Sequence, residues 1–237
     1  MTTIAAIPAR RSPRRGFTLT EIMVTLCILS FVTIGVLRFG LQALTTYSYE
    51  AGRLLVNKDI RDFTTEMAFN SVASNYFRIY PDFQHRDTAV TDGYSGDFLV
   101  LIFADTLATD SSDGSIKAGT TVITQLIGYY RDPDDPTDPT STGPVRKFDT
   151  GAPGSAHAIA AADGAQTITW LVNKYAPTTT SKTNSIIIQL AQGLSDGNLF
   201  YDYYDRSIMI RGQIVEHGSK GGRAAVNTYN FTVSPRG

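Results

Sequence analysis

Hydrophobic and polar positions divide this chain into three stretches of different period. From Phe17 to Leu37 the sequence FTLTEIMVTLCILSFVTIGVL has one charged residue, Glu21. At about 1.5 Å per helical residue the run reaches about 30 Å, the hydrocarbon depth of a bilayer. A membrane-spanning helical half over 17–38 is expected. Beyond it, Leu41, Leu44, Ala51 and Leu55, then Ile60, Phe63 and Met67, recur at spacings of three, four or seven, with Arg53, Lys58, Arg61 and Asp62 between them. That is an amphipathic stripe. No proline falls between Pro13 and Pro81, so the helix is expected to continue through an amphipathic half, 39–80, and to stop at Tyr80-Pro81.

From about residue 93 the period becomes that of strands. DFLVLIF (97–103), TVITQLIGYY (121–130), QTITWLV (166–172), SIIIQLA (185–191), NLFYDYY (198–204), RSIMIRGQIVEH (206–217) and VNTYNFTV (226–233) are β-branched or aromatic runs. DSSDGS (110–115) reads as a turn and GSKGG (218–222) as a hairpin loop. In the last run Tyr229, Phe231 and Val233 alternate with polar residues, as on a sheet with one wet face. Residues 132–165 read as a long loop with one short helix near 156–162. The expected fold class is α+β: a long N-terminal helix packed on an antiparallel domain over 93–237.

Charge alters this picture at one end only. The 237 residues have a formal net charge of −1, which offers no basic excess for nucleic acid. Residues 1–16 hold Arg10, Arg11, Arg14 and Arg15 and no acid; taking these four from the 21 basic residues leaves 17 against 22 acidic, a net −5 over 17–237. The positive-inside bias places 1–16 in the cytoplasm and the bulk of the chain across the membrane. Glu21 is then an anomaly, since a carboxylate within an apolar span costs about 2.5–3.5 kcal/mol on insertion scales and calls for a partner. The single cysteine, Cys27, excludes an internal disulfide framework.

The order Arg14-Arg15-Gly16, Phe17, Thr18-Leu19, Glu21 resembles the prepilin signal of type IV pilins and type II secretion pseudopilins. The resemblance implies that a prepilin peptidase cuts between Gly16 and Phe17 and that the new amine of Phe17 is methylated. The leader is 1–16, carrying Arg10, Arg11, Arg14 and Arg15. A free α-amine has a pKa of about 8 and is charged. The family sets it against the glutamate of a neighbouring subunit, which makes Glu21 a subunit-registration residue. The implied partners are prepilin peptidase, other pilin-like subunits and the inner membrane. The implied form is the family's lollipop, with its C-terminal domain in the periplasm. A looser likeness in element order points to the larger minor pseudopilins of the J type, near the tip of a secretion pseudopilus. A minor pilin of a type IV or competence pilus is the alternative within that class. A signal-anchored periplasmic binding or adhesion domain is the alternative outside it, and a twin-arginine export signal at Pro13–Phe17 is weaker still because Glu21 interrupts the apolar run.

No catalytic, cofactor or metal residues are assigned. His85, His157 and His217 show no ligand spacing, and GYSGD around Ser95 lacks the nucleophile-elbow pattern. Asp132, Asp134, Asp135 and Asp138 form an acidic run that raises the question of calcium, but interleaved prolines favour a solvated loop. Phe200, Tyr201, Tyr203 and Tyr204 read as strand packing, with an exposed share available for a subunit contact.

Overall fold

A computed structural model describes residues 16–91, 93–106, 108, 117–135, 137–138, 141–177, 185–192, 198–216 and 225–236; of 185–192, 215–216 and 225 only the backbone is described. The chain divides into two compact units, Met1–Tyr47 and Ser48–Gly237. One helix, α1 (Leu19–Ala73), contributes to both.

In the first unit the apolar side chains of α1, such as Leu26, Leu29 and Phe31, are all exposed. The hydroxyls of Thr25, Ser30 and Thr33 donate back to the carbonyls of Ile22, Leu26 and Leu29 at 2.8–2.9 Å. Each of these three hydroxyls thereby finds an acceptor within the helix, as a lipid environment requires.

In the second unit α1 turns Val56, Phe63 and Met67 into a core that also holds Leu99, Leu101, Tyr129 and Tyr229. The buried stripe differs in part from the expected one. Phe63 and Met67 lie in it and Ile60 packs against it, but Val56 takes the place given to Leu55, which is exposed along with Leu41 and Leu44.

The helix also ends seven residues early. The Ser74 hydroxyl donates to the Ser71 carbonyl at 2.8 Å, and Asn75 Oδ1 accepts the Ala104 N–H at 2.8 Å. YFRIY then forms a strand, β1 (Tyr76–Tyr80), paired with FLVLIFADT, β3 (Phe98–Thr106). Aromatic and β-branched residues in a five-residue run favour a pleated surface, and burial of Phe77 and Ile79 on it outweighs one more turn of helix.

The remaining strands are β2 (Ser95–Gly96), β4 (Thr121–Arg131), β5 (Gly143–Asp149), β6 (Ser185–Gln192), β7 (Phe200–Tyr203), β8 (Ser207–Glu216) and β9 (Ala225–Val233). The described strands form one antiparallel sheet in the order β1-β3-β4-β5-β6-β8-β7-β2, with β9 also paired to β8. Two expectations fail here. QTITWLV is not a strand: α2 (Ile168–Tyr175) begins there, with the Thr167 side chain accepting the Trp170 N–H, and it buries Leu171 and Val172. The 132–165 segment is not all loop, because β5 lies inside it, and the helix expected near 156–162 is a single 3₁₀ turn at Ala161–Asp163.

At β3 and β4 both faces of the sheet are covered, which explains why DFLVLIF is apolar without alternation, whereas β9 keeps Thr228, Asn230 and Thr232 exposed between buried Tyr229 and Val233. Leu99 and Leu101 face α1, whereas Phe98, Val100 and Ile102 join Leu126, Tyr130, Leu171 and Val172 in a second core. A side chain at Gly128 would overlap the Phe148 ring on β5, so glycine makes room for that ring. One buried ion pair ties the sheet's corner: Arg131 Nη1 lies 3.0 Å from Asp97 Oδ2, and Asp97 Oδ1 accepts the Leu199 N–H at 2.8 Å. The ends of the strand order approach each other, since the Asp97 N–H also donates to the Pro81 carbonyl at 2.8 Å.

Candidate processing and assembly site

The site begins where the helix begins. Thr18 stands just before α1, and its N–H and hydroxyl both donate to Glu21 Oε2, at 2.9 and 3.0 Å. The Glu21 N–H donates back to Thr18 Oγ1 at 3.3 Å. This is a reciprocal capping box, which satisfies two helix-start N–H groups that otherwise have no intrahelical acceptor. Its signal, Thr-Leu-Thr-Glu, stood in the sequence, but reading Glu21 only as an intramembrane charge missed it.

The box has a consequence for the carboxylate. Oε2 is occupied within the chain, while Oε1 has no partner among the described residues. Glu21 is thus held in the first turn of α1 with one oxygen available. Phe17 is 84% exposed, and the space where a Cβ on Gly16 would stand is open. Arg10, Arg11, Arg14 and Arg15, the arginines of the expected leader, lie outside the described residues. From Leu19 onward α1 is long and apolar enough to cross a membrane.

The other candidate groups have local partners. His85 Nδ1 meets Asp82 Oδ2 at 2.7 Å, an acidic partner not expected from the sequence, and this neighbour raises the His85 pKa. His157 is exposed, and His217 lies outside the described residues. In the acidic run, Asp132 pairs with Arg146 at 2.7 Å, Asp134 accepts the Thr142 hydroxyl at 3.2 Å, and Asp135 accepts both the N–H and the hydroxyl of Thr137. The Asp138 carbonyl accepts the Ser141 N–H. Among the described residues no group of three or more His, Cys, Asp or Glu side chains is placed to hold a metal. Ser95 Oγ accepts from Asn198 Nδ2 at 3.0 Å. Of the aromatic cluster, Phe200 is buried while Tyr203 and Tyr204 are exposed and meet edge to face at 5.1 Å.

No curated protein and no solved structure matches the chain. Residues 11–37 match the prokaryotic N-terminal methylation motif, a span that contains the Gly16-Phe17 junction and Glu21. Motif and apolar helix together support a membrane-anchored, single-pass, prepilin-like subunit of the type IV pilin and pseudopilin kind.

Proposed function

We propose that the chain is a structural filament subunit, cut between Gly16 and Phe17, methylated at Phe17, and drawn from the bacterial inner membrane into a filament through α1. The observation that carries this reading is the methylation motif over residues 11–37. The cytoplasmic arginines Arg10, Arg11, Arg14 and Arg15 keep the scissile bond on the inner face. Gly16 offers a protease unobstructed backbone. Cleavage leaves an ammonium on Phe17, and Glu21 Oε1 of an adjacent subunit is its acceptor. Each charge is costly in lipid, and pairing recovers part of that cost only when neighbouring helices stand in register. Glu21 is therefore a registration residue and not a catalyst.

Within this class the assembly is a type II secretion pseudopilus, and the subunit is a minor, tip-proximal one. The 221 residues beyond Gly16, more than a major pseudopilin usually has, and the order of helix, strands and terminal hairpin support that choice. The C-terminal domain is periplasmic. The second reading, a minor pilin of a type IV or competence pilus, shares every step up to assembly. The test is Glu21→Ala. Subunit cross-linking along α1 should be lost, and protein secretion with it, while membrane insertion persists. Intact cross-linking and secretion would remove the registration role and favour a signal-anchored periplasmic domain. Loss of surface pili or DNA uptake with normal secretion would move the subunit to the second reading.

A further inference from the structure

Strand β1 leaves part of its outer edge open. Backbone groups in an antiparallel ladder face a given neighbour only at alternate residues. The Ile79 carbonyl faces away from β3, because it accepts the Val90 N–H at 2.8 Å. Phe77, two residues back, presents its N–H and C=O to the same side, and no described residue outside the sheet bonds to them. Against this edge lies a cavity of about 620 Å³ with apolar walls from Tyr76, Phe77, Ile168 and Pro235. A second hollow of about 400 Å³, reaching Val90 and Thr91, shares Arg78 and Asp205 with the first. The two hollows meet at the Arg78–Asp205 ion pair, 2.9 Å long.

The β7–β8 turn supplies Asp205 and Arg206 to this groove. It closes through the Arg206 N–H on the Tyr203 carbonyl, and Tyr204 and Asp205 both take left-handed φ, 56° and 52°. A bulky residue in that region is strained, and Asn-Gly would make the same turn with less strain. Buried Asp202 holds the conformation by accepting the Asp205 N–H at 2.9 Å. What the strain secures is Asp205 on Arg78 and Arg206 on the rim.

Charge selects the class of occupant. The chain beyond Gly16 is net acidic, yet the groove and the chain end beside it hold Arg78, Arg206 and Arg236 against Asp205. Arg78 is engaged by Asp205, while the Arg206 guanidinium has no partner among the described residues. An open backbone pair, an apolar cavity and a cation in line match an extended peptide that carries an acid. We propose that the groove docks an acidic, extended segment of a partner protein. That segment adds a strand outside β1 at Phe77, seats an apolar side chain between Tyr76, Ile168 and Pro235, and sets a carboxylate on Arg206. The inference does not depend on the filament reading, since no groove residue takes part in processing or registration.

The test pans the full chain in detergent against a displayed library of random nine-residue peptides. Selected peptides should pair an Asp or Glu with apolar residues at alternate positions. The leading peptide should bind Arg206→Glu at least tenfold more weakly and bind Lys58→Glu, an exposed substitution elsewhere on α1, unchanged. Replacing its acid by lysine should restore binding to Arg206→Glu. No selected peptides, peptides without acids, or equal binding to wild type and Arg206→Glu would each overturn the proposal.

Discussion

Phe63 is the side chain on which docking of α1 against the sheet turns. It is fully buried and meets Tyr129, Tyr229 and Phe231 edge to face, with ring centroids 5.9–6.2 Å apart. Truncation to alanine removes the ring from three aromatic neighbours on two strands and leaves a cavity between helix and sheet. Phe→Ala at a buried site costs about 3–5 kcal/mol, and three edge-to-face partners place Phe63→Ala in the upper half of that range. For a unit of this size each kcal/mol moves the melting midpoint by about 2–4 °C, so a fall of about 8–20 °C is expected. Phe69 provides the control: it lies on the same helix six residues on and is 74% exposed. Phe69→Ala should fall within about 0.5 kcal/mol of wild type. The assay is urea and thermal unfolding of the full chain in detergent, followed by near-ultraviolet circular dichroism of the aromatic core. A cost below about 1 kcal/mol for Phe63→Ala, or equal costs for the two variants, would refute the placement of α1 on the sheet.

Three further outcomes are expected. Burial pushes the Asp97 carboxyl up to about 6 even with Arg131 pulling it down, so Arg131→Met should raise it further. A carboxyl raised in the folded state gives full stability below its unfolded pKa and loses it as pH rises, so Arg131→Met should be mild near pH 4.5 and cost about 3–5 kcal/mol at pH 8 by urea unfolding. Nuclear magnetic resonance titration should place His85 above an ordinary histidine, and Asp82→Asn should bring it down; the associated stability is present below pH of about 6.5 and is lost as pH rises through the His85 midpoint. Glu21→Gln keeps an oxygen for the Thr18 N–H and hydroxyl but no charge, so α1 should start normally by circular dichroism while subunit cross-linking fails.

The legible parts of the chain were those with one dominant period or one dense motif. FTLTEIMVTLCILSFVTIGVL reads as an apolar helix because nothing competes with it, and DFLVLIF and TVITQLIGYY read as strands because the β-branched run outlasts any helical spacing. Ambiguity appeared where two signals overlapped. YFRIY continues a helical register, yet its alternate residues bury Phe77 and Ile79 on the sheet. QTITWLV is rich in β-branched residues, but Thr167 caps it, and the spacing of Ile168, Leu171 and Val172 is helical. GPVRKFD was hidden by Pro144 and two cations, whose partners lie elsewhere: Arg146 on Asp132, and Lys147 on Glu66 at 2.5 Å. At the candidate processing site Gly16, Phe17 and Glu21 are legible in the sequence, whereas the split of the Glu21 oxygens, one on Thr18 and one open, is set by the capping geometry. The groove was illegible because residues 75–78, 168, 205–206 and 235 are brought together only by the sheet.

The measurement closest to the central claim is mass spectrometry of the N-terminal peptide of the protein recovered from inner membranes of cells with active prepilin peptidase. The expected result is a chain that starts at Phe17 and carries one added methyl group. A chain that keeps Arg14-Arg15-Gly16 ahead of Phe17, or one that starts beyond Leu37, would contradict it.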